Sequence, residues 1–242
     1  MSSRDYHVLV QAREGSTRLP KKTLMLIFKD SLISSVILRF DPSKCSVLTG
    51  SRENNQKLAS HVTALDYDIQ FGSETNVFSR FTEFARNSDV EYLVRVTGDN
   101  PFVYVDCIDG MIDLINSNNL DYCISENIPI GCALEVFRRK SLLELENQGV
   151  DEFTKEHVTP NFYSSNDSWK WLKYNCNFSL IASLRLTVDT QEDLTLIRNI
   201  CEYFNKEAQQ ICLAEIEELY FQNPDFFMIN QSVHQKSFRE LG

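Results

Sequence analysis

A short apolar run, residues 6–10 (YHVLV), passes without a linker into the loop QAREGSTRLPKK, residues 11–22, and this junction constrains the chain more than any other stretch. An apolar run of that length, bounded by turn residues, reads as a buried β-strand. The loop behind it carries Arg13, Arg18, Lys21 and Lys22, four cations within ten residues of a chain whose net charge is −10. With Gly15 and Ser16 added, a strand end offers backbone N–H groups, a hydroxyl and fixed positive charge, which is how proteins hold phosphates. A solvated basic turn has the same composition, so order matters more than content. The order excludes two common phosphate loops, because neither GxxxxGK[ST] nor GxGxxG is present.

Downstream, strand-like and helix-like segments alternate. Residues 30–40 are predicted helical and closed by Asp41-Pro42, 45–50 form a strand, 53–61 a helix and 67–72 a strand. Val77, Phe78, Phe81 and Phe84 fall near helical spacing, residues 91–101 read as a strand ending in a turn, 106–116 as a helix and 122–125 as a strand. The alternation predicts an α/β fold on a mostly parallel, doubly wound sheet, with ligands beyond the carboxyl ends of the strands. From 131 to 186 the pattern blurs into a strand at 133–137, short helices at 141–148 and 153–163, the latter ended by Pro160, and a half-exposed strand at 169–178. Residues 183–189 are predicted as a strand and 190–204 as a helix, with Thr190 as N-cap and Asp193 completing a capping box. No linker rich in Gly, Ser or Pro marks a boundary. The expected division is a main domain over 1–208 and a C-terminal helix and tail over 209–242.

Composition removes several function classes. An acidic chain lacks the broad basic face that duplex nucleic acid demands, so no nucleic-acid partner is expected and the basic loop suits a small anion. No stretch approaches the roughly 20 apolar residues of a membrane span, and the first ten residues do not read as a signal peptide. Seven cysteines without a CxxC pair point to reduced thiols in a cytoplasmic protein.

The loop strongly resembles the signature [QP]AR-x-x-STRLP-G-K of nucleotidyltransferases that make CMP-activated sugars, the spore-coat-polysaccharide, CMP-Kdo synthetase and acylneuraminate cytidylyltransferase type. Gln11, Ala12, Arg13, Ser16, Thr17, Arg18, Leu19, Pro20 and Lys22 match, and Lys21 stands where the glycine usually is. RVTGDNP at 95–101 and RLTVDTQEDL at 185–194 resemble the second and third signatures. FGSETNVFSRF at 71–81 and the pair ALEVF and KEHVTPNFY at 133–137 and 155–163 resemble weaker ones.

The resemblance, which covers residues 6–204, implies a Rossmann-like α/β/α nucleotidyltransferase using CTP and a small anionic acceptor. It implies that Arg13, Arg18 and Lys22 hold the triphosphate, with Gln11, Ala12, Gly15, Ser16, Thr97 and Gly98 beside the nucleotide. The resemblance also implies that Asp99 and Asp189 bind Mg²⁺, a metal that takes one or two carboxylates along with substrate phosphates. Ser73 and Glu74 lie near the base or ribose, or else cap the following helix. Arg95 lies under the phosphates, or else pairs with a carboxylate. Glu135 and His157 are candidates for acceptor contacts, with a structural histidine as the plainer reading of the second. The region 131–186 is expected to build the acceptor pocket and is the candidate for a homodimer contact. A non-catalytic nucleotide- or sugar-binding protein of the same fold is the rival from another class.

Overall fold

The computed structural model describes residues 5–16, 18–163 and 168–234. Thr17 of the loop signature and residues 235–242 of the tail lie outside the described residues. The strands are β1 (Tyr6–Gln11), β2 (Cys45–Thr49), β3 (Asp68–Phe71), β4 (Tyr92–Thr97), β5 (Tyr122–Glu126), β6 (Glu135–Arg138) and β7 (Trp171–Asn175). The helices are α1 (Leu32–Ile37), α2 (Gln56–Thr63), α3 (Val77–Arg86), α4 (Ile108–Asn118), α5 (Arg139–Gln148), α6 (Glu152–His157), α7 (Pro160–Tyr163), α8 (Gln191–Phe204) and α9 (Leu213–Gln222).

The strands form one sheet in the order β3-β2-β1-β4-β6-β5-β7. All run the same way except β6, which lies antiparallel to both β4 and β5. Alternation along each strand feeds two cores. Val8, Val10, Val47, Val94 and Val136 point to one face, whereas Leu9, Leu48, Leu93 and Phe137 point to the other. Helices α1, α2, α4, α8 and α9 cover the first face through Ile33, Leu58, Met111, Ile197 and Ile216. Helices α3, α5 and α7 cover the second through Phe81, Leu142 and Phe162. Each such side chain, once buried, contributes roughly 1.5–3 kcal/mol. The result is the expected α/β/α sandwich. No helix among the described residues is long and apolar enough to cross a membrane.

Two predicted elements differ. Residues 183–189 are not a strand; their only ladder contact among the described residues is a bridge from Ile130 to Arg185. Their backbone turns across the carboxyl ends of the strands, where Val188 N–H donates to the Asp99 carbonyl at 2.9 Å and Leu186 N–H to the Ile130 carbonyl at 2.7 Å. The predicted helix over 153–163 breaks before Pro160. Val158 sits at φ 72, ψ −52, and Thr159 N–H donates to the His157 carbonyl at 2.9 Å, a strained γ-turn. Proline pushes the residue before it out of the helical region and is itself favoured at a helix start, so Pro160 opens α7 rather than ending α6.

Beyond α8, Leu213, Ile216, Leu219 and Phe227 join the same core as β1 and β4. Phe227 belongs to a 3-10 stretch, Pro224–Asn230, that packs against α8.

Candidate active site

The loop after β1 is built onto its neighbours before it meets any ligand. Glu14 accepts from Leu58 N–H at 2.9 Å, capping α2, while its own N–H donates to Asn55 Oδ1 at 2.9 Å. This contact, with Asn55 as N-cap, explains why α2 starts at Gln56 rather than three residues earlier. Lys21 adopts φ 60, ψ 22, the left-handed conformation that glycine takes most easily, so the backbone keeps the shape the signature's glycine allows. The turn delivers Lys22 into the sheet's carboxyl end. Across from it, Gly98 closes on the end of β1. A Cβ there would lie 2.8 Å from the Ala12 side chain and 3.2 Å from the Gln11 carbonyl, so only glycine permits the approach.

Asp99 and Asp189 meet at this point. Lys22 Nζ donates to Asp99 Oδ2 at 2.7 Å, to Asp189 Oδ1 at 2.8 Å and to the Val188 carbonyl at 3.0 Å. Arg18 reaches Asp189 Oδ1 at 3.0 Å. Burial pulls Lys22 down, but the two carboxylates outweigh it and hold its pKa above the ordinary lysine value. Burial likewise lifts Asp189, and Lys22, Arg18 and Arg185 together bring it below the usual carboxylate range. Among the described residues no cluster of three or more His, Cys, Asp or Glu forms a metal cage. Two carboxylates already converging on one cation fit a hard divalent ion that draws its remaining ligands from phosphates and water.

The cleft around these groups has a volume of about 580 Å³ and is lined by Gln11, Ala12, Arg13, Gly15, Ser16, Arg18, Lys22, Thr97, Gly98, Asp99 and Asp189. Glu74 and His157 line it too, whereas Ser73, Arg95 and Glu135 do not. Ser73 Oγ accepts from Asn76 N–H at 3.0 Å, and Asn76 is the N-cap of α3. Arg95 donates to Gln11 Oε1 at 2.9 Å and pairs with Glu135 at 2.6 Å. Glu135 is 8 % exposed and also accepts from the Tyr122 and Thr159 hydroxyls, each at 3.1 Å. Arg95 and Glu135 thus form a buried pair behind the cleft, supporting Gln11 in front and Thr159 at the γ-turn.

The Glu74 carboxylate is occupied with the loop after β2. Its Oε1 accepts from Ser51 N–H at 2.8 Å, Asn55 Nδ2 at 3.0 Å and the Ser51 hydroxyl at 3.1 Å. Gly50 makes room for it, since a Cβ at that position would lie 2.3 Å from Glu74 Cδ. Gly50→Ala is expected to cost about 1–3 kcal/mol of stability by displacing that carboxylate, as thermal unfolding would register; an unchanged midpoint would refute the account.

His157 carries the pH prediction. Burial outweighs the neighbouring Glu156 and lowers its pKa below the ordinary 6.5. The imidazole is therefore neutral at pH 7, and the unfolded chain binds more protons as pH falls below 6.5. Its contribution is present above that value and lost as pH drops through the folded pKa. A proton titration of His157 by NMR should show a midpoint under 6.5, and a midpoint at or above it would contradict this.

Sequence reasoning passed over Thr23, Thr75, Val77, Arg80 and Glu156, which also line the cleft. Arg80 had a signal: a cation on the apolar face of α3, inside the FGSETNVFSRF match. It is 5 % exposed and donates to the carbonyls of Ser73 at 2.7 Å and Glu74 at 3.0 Å. Burial brings its pKa down to about 10.

A mostly parallel α/β/α sheet with a cationic loop and two aspartates converging at its carboxyl end is the architecture of a Rossmann-like nucleotidyltransferase. A family model described as Cytidylyltransferase matches residues 7–236, and the chain belongs to that family of enzymes. Among curated relatives, the spore coat polysaccharide biosynthesis protein SpsF of Bacillus subtilis (strain 168) is 28 % identical over 232 residues, 91 % of this chain and 96 % of the relative. Among solved structures, a cytidylyltransferase from Leptospira borgpetersenii serovar Hardjo-bovis (strain JB197) superposes with a TM-score of 0.86 at 23 % identity, covering 96 % of this chain and all of that one. CMP:2-keto-3-deoxy-manno-octonic acid synthetase complexed with CTP superposes at 0.62 with 14 % identity, over 84 % of this chain and all of that one.

Proposed function

We propose that the protein is a CTP-dependent, Mg²⁺-requiring cytidylyltransferase. It transfers CMP to a sugar acid of the Kdo or nonulosonate kind and releases pyrophosphate, for surface polysaccharide or glycoconjugate synthesis. The observation that carries this reading is the meeting of Lys22, Arg18, Asp99 and Asp189 at one point of the strand-end cleft. Cations alone would suit any anion, and the carboxylate pair alone would suit any hard metal ion. Their contact suits a metal–triphosphate complex.

In the reaction an acceptor hydroxyl oxygen bonds to the α-phosphorus, the bond from that phosphorus to the bridging oxygen breaks, and pyrophosphate leaves with the electron pair. Arg13, Arg18 and Lys22 bind the triphosphate, Lys22 turning N–H donors from the carboxylates to phosphate oxygens. Asp99 and Asp189 would hold Mg²⁺, which supplies charge neutralisation at the phosphates and a lower pKa at the acceptor hydroxyl. His157, neutral and in the cleft wall, can take the acceptor's proton. Positioning and electrostatics of this kind do most of the work in phosphoryl-type transfer.

A sugar phosphate, polyol phosphate or phosphonate acceptor is the second reading, because a cleft lined by Arg13, Arg18 and Lys22 suits a phosphorylated anion as well as a carboxylate. The seven free thiols suit a cytoplasmic setting, and the region 131–186 is where a contact between two copies would fall. Pyrophosphate release tests the reading: Mg²⁺, each NTP in turn, and a panel of sugar acids, sugar phosphates and phosphonates. Release with CTP and a sugar acid supports the first reading, and release with a phosphorylated acceptor supports the second. No release, together with no thermal shift from CTP and Mg²⁺, would point to the non-catalytic protein of the same fold.

A further inference from the structure

The two oxygens of Asp189 do different work. Oδ1 faces the cleft and contacts Lys22 and Arg18. Oδ2 faces inward and accepts from Arg185 at 2.8 Å. Arg185 is itself gripped by Asp193, a fully buried carboxylate, through Nε at 2.9 Å and a second nitrogen at 3.1 Å. Asp193 also accepts from Asp189 N–H and Thr190 N–H, each at 3.0 Å. The last partner comes from the C-terminal 3-10 stretch. Asn230, 3 % exposed, donates its Nδ2 hydrogens to Asp193 Oδ1 at 2.8 Å and to the Arg185 carbonyl at 2.9 Å.

A guanidinium between two carboxylates can lean toward either. Buried charges hold one geometry only when every donor and acceptor around them is satisfied. Asn230 closes that frame: it shares Asp193 Oδ1 with Arg185 Nε and pins the Arg185 main chain at the same time. With it in place, the guanidinium nitrogen turned toward Asp189 is fixed, and so is the rotamer that aims Oδ1 into the cleft.

We infer that Asn230 is a positioning residue for the metal-binding carboxylate, acting through Arg185 and Asp193 on Asp189. The inference rests on the reading of Asp189 as a metal ligand. It gives the segment after α9 a part in the site, beyond closing one edge of the core. Partners that orient a metal ligand commonly alter metal affinity by about 10–100-fold when removed. Asn230 stands further from the ligand, so about three- to tenfold is expected.

Thermal unfolding of the full chain with CTP alone, and with CTP plus increasing Mn²⁺, tests it without relying on turnover. Three proteins are compared: wild type, Asn230→Leu, which keeps bulk but removes both donors, and Asp189→Asn. Wild type should gain stability from Mn²⁺ beyond that from CTP. Asn230→Leu should start at a lower Tm and need about three- to tenfold more Mn²⁺ for half of that gain, with the shift from CTP alone unchanged. A lower starting Tm with the wild-type Mn²⁺ midpoint would overturn the inference, leaving Asn230 a packing residue. If Asp189→Asn responds to Mn²⁺ as wild type does, the metal reading fails first and takes the inference with it. Should Asn230→Leu not fold, Asn230→Ser, whose shorter hydroxyl can reach only one acceptor, is read by the same two outcomes.

Discussion

Asp99→Asn is expected to lower turnover by about 10³-fold while the protein unfolds at nearly the wild-type temperature. The asymmetry follows from where Asp99 sits. It projects from the turn after β4, its side chain is 25 % exposed, and the hydrogen bond it makes is to Lys22. The lysine keeps Asp189 and the Val188 carbonyl as partners when Asp99 becomes neutral. The shape is conserved, so the fold loses about 1 kcal/mol at most, the usual worth of one partly exposed charge contact. On the proposed reading, catalysis loses one of two carboxylates that would hold the metal, and with it charge compensation that grows toward the transition state. Both kcat and kcat/KM should fall. Turnover within tenfold of wild type, measured by pyrophosphate release, would remove Asp99 from the metal site.

Glu135→Leu is expected to do the opposite, costing about 3–5 kcal/mol of stability and moving Tm down by about 10 °C. The substitution leaves the Arg95 guanidinium without its ion-pair partner, and the hydroxyls of Tyr122 and Thr159 without that acceptor. Removing one member of a buried pair is far costlier than never having built it, because the remaining charge keeps its desolvation penalty. Glu135→Gln, which still accepts from both hydroxyls, separates support from substrate contact. If the pair stands behind the cleft, activity at low temperature follows the folded fraction. If Glu135 touches the acceptor, activity falls while Tm holds, and the placement argued above is wrong.

Much of the architecture can be read from the chain because strand-end loops carry their chemistry in contiguous residues. The cationic run beside the 6–10 strand, TGD where β4 ends and TVD before α8 each announce themselves within a few positions. The unbroken apolar run Val8, Leu9 and Val10 likewise marks a buried strand, and the structure gives it a core on each face. What sequence could not yield depends on contacts between distant segments. Residues 183–189 have the apolar pattern of a strand, but their hydrogen bonds go to Ile130 and to a turn near residue 99 rather than to any strand of the sheet. Arg95 and Glu135 look like site residues by position in their motifs. Their side chains find each other across the β4–β6 pair, and only the antiparallel register of that pair, Arg95 opposite Glu135, makes this inevitable. Asn230 lies 37 positions from Asp193, outside every recognisable pattern.

The reversed strand has a consequence for how the sheet is assembled. β4 joins β1 directly, so the first four strands can zip together from residues 6–97 alone. β5 is made next, yet its hydrogen-bonding neighbours are β6 and β7, both later in the chain. Nothing emerging from the ribosome before residue 138 offers β5 a ladder, and until then the open edge of β4 presents unpaired N–H and C=O groups. The sheet therefore grows in two instalments, with β6 as the piece that must arrive, turn against the grain and bridge a gap before the second can begin.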